Sequence, residues 1–163
     1  MKRLALLSLS SFVAVVSHGR VFETYDQCVA RYGKPVTTVK TAIGSNVSFL
    51  KNNVSITVEF RKDAAVGVTY AKLADKAKPA ENRAFSKEEV ETLLRLNGGE
   101  HPWGPERKDM NGQPYWFTGD NALNARLTGD RTVLNVQDGA EFVRKAKDVP
   151  PETKPAPRDL EGF

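Results

Sequence analysis

Cysteine is almost absent from this chain. Cys28 stands alone among 163 residues, which excludes an internal disulfide and a zinc site of the usual kind, built from several Cys or His ligands. Histidine is nearly as scarce, with only His18 and His101. No stretch reaches the roughly 18 consecutive apolar residues of a membrane-spanning helix. An excess of one charge is lacking too, since 24 Lys and Arg are interspersed with 20 Asp and Glu. That pattern reads as a solvated mixed surface and argues against nucleic acid as a partner. What is present is a 40% hydrophobic sequence, enough for one ordinary domain whose stability has to come from packing.

The N-terminus has its own composition. Lys2 and Arg3 precede an apolar run over residues 4–16, broken only by serines, and Ser17 and Gly19 put small residues where a signal peptidase reads. Residues 1–19 therefore read as a secretory signal peptide cut after Gly19. Cleavage removes two basic residues and no acidic one, so the formal charge falls from +4 to +2. The expected location is secreted or periplasmic, with no transmembrane segment in the mature chain. Residues 148–163 carry Pro150, Pro151, Pro155 and Pro157 among charges and read as a disordered tail. A single domain over residues 20–147 lies between them.

Residues 54–71 organise that domain. Val54, Ile56, Val58 and Phe60 alternate with polar residues, and Val66, Val68 and Tyr70 do so after a polar tip, the pattern of a β-hairpin with one dry face. Weaker strands at 35–40 and 46–51 flank a loop signal at Gly44, Ser45 and Asn46. Ahead of them, residues 24–33 hold a helix with a Thr24/Gln27 capping box and a stop at Gly33. After a solvated connector over 72–83, residues 85–99 hold a second helix, capped by Ser86 and Glu89 and stopped at Asn97, Gly98 and Gly99. Alternating strands follow at 123–127 and 132–136, then a short helix over 139–147 in which Phe142 docks. The expected class is α+β, with two helix-plus-antiparallel-meander units over about 22–71 and 85–137 and the helices packed on one face of the sheet. The spacing of Phe60 to Asp63 matches that of Leu127 to Asp130, which suggests an internal repeat.

The helix ending in Gly33-Lys34-Pro35 and the 54–71 hairpin resemble the tandem helix and sheet repeats of the β-lactamase inhibitor protein fold, and the single such unit of outer-membrane assembly lipoproteins. The Asn97-Gly98-Gly99 stop ahead of Trp103 is also similar to short exported bacterial proteins of unknown function. The resemblance implies a fold and a bias toward binding another protein. The chain lacks the inhibitor's cysteine pairs and the lipoproteins' anchor cysteine, so neither activity is implied.

No catalytic set, metal site or cofactor motif emerges. Cys28 lies on the apolar face of its helix and reads as core, although pairing it with His101 defines the rival reading of an envelope enzyme. A structural or assembly role is the other alternative. Asp120, Asp130 and Asp138 stand near hairpin ends and read as turn residues rather than calcium ligands. Tyr115, Trp116 and Phe117 are consecutive, so a strand must send Trp116 to one face and its neighbours to the other. Trp103 reads as core. The expected function is that of an exported non-catalytic module. It would bind a secreted or envelope protein through a free sheet face, with Tyr115, Trp116, Thr57, Glu59 and Arg61 as contacts.

Overall fold

The computed structural model of the chain describes residues 20–74 and 83–148. The signal peptide, most of the connector and the proline-rich tail read from the sequence lie outside the described residues. Helix α1 (Tyr25–Tyr32) precedes strands β1 (Thr37–Thr41), β2 (Gly44–Lys51), β3 (Val54–Arg61) and β4 (Ala64–Lys72). Helix α2 (Lys87–Gly98) precedes β5 (Arg107–Lys108), β6 (Pro114–Phe117), β7 (Leu123–Leu127) and β8 (Val133–Asp138), and α3 (Gly139–Asp148) follows. The fold is α+β with one antiparallel sheet of eight strands in the order β1-β2-β3-β4-β8-β7-β6-β5. Each run of four strands is a meander, and β4 and β8 join the two.

Local chemistry accounts for most of these elements. Both expected capping boxes form: Thr24 N–H donates to Gln27 Oε1 at 2.8 Å and Ser86 N–H to Glu89 Oε2 at 2.7 Å, with the reciprocal bonds in place. Asn52 and Asn53 between β2 and β3, and Lys62 and Asp63 between β3 and β4, all have positive φ. Two left-handed residues in succession give the turn twist that suits a two-residue hairpin.

Two expectations need correction here. Gly44 opens β2 instead of ending a loop, because the backbone of Phe60 approaches so closely that a Cβ on Gly44 would lie 1.9 Å from its oxygen. The β3–β4 pairing also shifts register at Glu59 and Phe60. The bulge leaves Val66 only half-buried, and Ala65 takes the inward place opposite Phe60.

The register explains the core. Val47, Val58, Val68, Val136, Ala125 and Trp116 lie in one row across six strands, all buried. Each of the four valines contributes about 1.5–3 kcal/mol by leaving water. The adjoining row on the opposite face reads Ser48, Thr57, Thr69, Asn135, Arg126 and Tyr115.

Cys28 and Tyr32 of α1 and Val90 and Leu94 of α2 join the buried cluster of the dry face. Tyr32 and Tyr25 set their rings 5.3 Å from Phe49 and 5.9 Å from Phe60. Tyr70 of β4 is the common partner, with its hydroxyl 3.4 Å from that of Tyr32 and 3.0 Å from Asn97 Nδ2. Burial holds the Tyr32 phenol far above its ordinary range, so it stays neutral.

The third helix departs from the expectation of a single helical face. β8 runs directly into α3, whose Phe142 meets Phe117 edge to face at 6.2 Å. Lys145 Nζ bonds Glu59 at 2.5 Å and Glu141 reaches Arg61 at 3.4 Å. Phe117, Glu59 and Arg61 all point away from the core row, so α3 lies over the polar face.

Candidate functional site

A cleft of about 570 Å³ opens on the dry side of β6, within the size range of small-ligand sites. Helix α2 forms one wall with Val90, Leu94 and Gly98, the segment from Pro102 to Gly104 forms another, and Trp116 forms the floor. Lys87, Glu91 and Arg95 from α2, His101 and Glu106 from the loop, and Arg131 from the β7–β8 turn supply its polar lining. Basic groups outnumber acidic ones there.

Backbone and ring contacts fix the loop. Trp103 Nε1 donates to the Leu94 carbonyl at 2.6 Å, Gly104 N–H to Phe117 O at 2.8 Å and Gly119 N–H to Pro102 O at 3.1 Å. The indole lies so close to α2 that a Cβ at Gly98 would stand 2.7 Å from Trp103 Nε1. Gly98 is therefore the residue that admits Trp103 to the wall. Trp103 is half-buried and Trp116 only 7% exposed. The reading of Trp103 as plain core thus gives way to a wall residue that is open on one side.

His101 Nδ1 lies 2.6 Å from Asp120 Oδ2 and ties the loop to the β6–β7 turn. Hydrogen bonds from the Thr118 hydroxyl, the Ala122 amide and His101 lower the Asp120 carboxyl to about 2. Asp130 is occupied by Thr128 and Thr132, and Asp138 by the Ala140 amide. No group of three or more His, Cys, Asp or Glu among the described residues is arranged to hold a metal ion.

Cys28 is fully buried under α1. Its thiol faces Glu23 at 3.9 Å, and burial together with the Glu23 charge pushes its pKa up to about 12. Glu23 is buried as well and pairs with Arg31. His101 is engaged by Asp120 instead, so the geometry gives a Cys28/His101 nucleophile no support.

The five residues expected to form one contact surface are separated. Thr57, Glu59, Arg61 and Tyr115 lie on the polar face, where Thr57 Oγ1 is 3.1 Å from Ser48 Oγ, α3 engages Glu59 and Arg61, and Tyr115 packs 5.7 Å from Phe117. Trp116 is on the other face, within the cleft. The alternation of the 115–117 strand required this split, but its sense depends on which face the helices take. The cleft itself left one sequence signal, the Asn97-Gly98-Gly99 stop placed ahead of Trp103.

No helix among the described residues is long and apolar enough to cross a membrane. The chain matches no family model, and no curated protein matches it. Solved structures that resemble it distantly include the following two. A cysteine-rich secretory protein from Staphylococcus aureus is 11% identical, with a TM-score of 0.44 over 75% of this chain and 44% of that one. An extracellular protein containing an SCP domain from Bacillus anthracis is 14% identical, with a TM-score of 0.45 over 90% of this chain and 52% of that one. The chain thus spans about half the length of these proteins. Likenesses this low carry neither fold nor function to it.

Proposed function

We propose that the chain is an exported, non-catalytic binding module and that the cleft beside α2 takes an apolar or aromatic side chain of a secreted or envelope protein. The observation that carries this reading is the pairing of Trp103 and Trp116 in one cleft, with Arg95 and Arg131 at its rim. Large rigid aromatics at the centre of a pocket are the residues that anchor protein interfaces. Lys87 is paired with Glu91 at 3.8 Å, so Arg95 and Arg131 are the rim groups that suit a carboxylate beside the inserted side chain. The apolar run and small residues of positions 1–19 support export.

The tandem reading belongs to the same proposal. Each half is a capped helix followed by a four-stranded meander, and the sheet order runs inward from β1 and from β5 to the β4–β8 seam. That order is the one expected of two copies of one unit joined about a pseudo-twofold axis, as in the inhibitor-like pattern.

Intrinsic fluorescence tests the site directly, because Trp103 and Trp116 are the only tryptophans and both line the cleft. Partners captured by residues 20–163 from an envelope fraction should shift this emission, and Arg95→Glu should lose them while Tyr115→Ala keeps them. Loss on Tyr115→Ala with retention on Arg95→Glu would return the site to the polar sheet face.

A further inference from the structure

We infer that β1 is a second docking surface, an open sheet edge that accepts an extended acidic segment of another protein as a ninth strand. Among the described residues β1 ends the sheet and pairs only with β2, and all five of its residues are exposed. Alternate residues of an antiparallel edge turn their N–H and C=O groups outward with no partner strand. The side chains around this edge are unusually apolar for a surface: Val36 is 67% exposed, and Val39, Ile43 and Leu50 are each 54% exposed. An added strand would cover such side chains and satisfy the open backbone groups together, which is how strand addition obtains its affinity.

Charge selects the occupant. From residue 27 to residue 58 the sequence holds Arg31, Lys34, Lys40 and Lys51 and not one Asp or Glu. Arg31 pairs with Glu23, and Lys51 donates to the Arg31 carbonyl. Lys34, just before the edge strand, and Lys40, on it, are both exposed. A second copy of the chain would bring like charges together at the seam and is opposed, whereas a strand carrying carboxylates is attracted. The opposite edge does not compete, because β5 is only two residues long. Six strand spacings separate β1 from β6, about 29 Å, so this surface and the cleft are independent.

The test is a titration of residues 20–163 with a fluorescein-labelled, capped seven-residue peptide of alternating glutamate and valine, beside the same peptide with lysine for glutamate. Saturable anisotropy is expected for the acidic peptide and not for the basic one. Amide shifts should be centred on residues 36–43, and affinity should fall at least tenfold in Lys34→Glu/Lys40→Glu. N-methylation of alternate peptide residues should abolish binding, which separates strand addition from simple charge attraction. Absence of binding at millimolar peptide, shifts centred on the α2 cleft, equal affinity for both peptides, or concentration-dependent dimerisation through β1 would each overturn the inference.

Discussion

The two meanders of this sheet differ in how their strands are closed, and the site follows the difference. Strands β2, β3 and β4 run for 8, 8 and 9 residues, with left-handed two-residue turns at β2–β3 and β3–β4. Strands β5, β6 and β7 run for 2, 4 and 5, and a loop rich in glycine and proline stands between α2 and β5. Long paired strands commit nearly every backbone group and let α1 lie flat against Phe49 and Phe60. The shorter second meander leaves a gap under α2, which the Trp103 loop lines without filling. The same α+β scheme thus yields a closed half and an open one, and surfaces that bind concentrate where a rigid frame carries loops.

The sharpest way to break that comparison is at the residue both halves share. Tyr70→Ala removes the partner of Tyr32 and Asn97 and leaves a core cavity, so the unfolding free energy should fall by about 4 kcal/mol in urea denaturation. A second transition appearing in that variant would show the two halves unfolding separately. Gly98→Ala is next, with an expected loss of about 1–3 kcal/mol from overpacking against Trp103. Its effect should stay in the open half: tryptophan emission shifts, while hydrogen-exchange protection of β2 to β4 is unchanged.

Smaller effects sharpen the comparison. Thr24→Ala and Ser86→Ala each remove an N-cap and should cost about 1 kcal/mol. Similar losses in thermal unfolding would show that the helices are capped alike despite the unequal sheets. The smallest effect concerns Asp120, whose carboxyl is held near 2 against an ordinary 3.8. A depressed pKa means that its contribution is complete above about pH 3.8 and is lost as the pH falls through about 2. Asp120→Asn should flatten that part of the melting-temperature profile and leave the rest unchanged.

Much of the frame is written in local signals. The Thr24/Gln27 and Ser86/Glu89 boxes place two helix starts to the residue, and alternation over residues 54–71 places β3 and β4. What local signals omit is anything set by distant chain. The bulge at Val66 answers to the pairing of Ala65 with Phe60, and the strand role of Gly44 answers to the approach of Phe60. The sense of the 115–117 alternation depends on where α2 lies, so Tyr115 and Trp116 could be separated by pattern but not assigned to faces. The cleft is the least legible feature, since it arises from a loop returning to α2 and an indole admitted by the absence of a side chain at Gly98.

The seam between β4 and β8 also governs how the chain can find this structure. Every other strand pairing joins sequence neighbours, so six of the seven ladders close over short spans, and only Gly67 to Ala71 must find Val133 to Gln137 across a long stretch of chain. Among the ladders this one carries the largest sequence separation, and it is the strand pairing expected to close last. The entropy of closing that span changes by only about 0.6 kcal/mol for each doubling of its length. The connector between β4 and α2 is therefore a place where extra residues are expected to cost little.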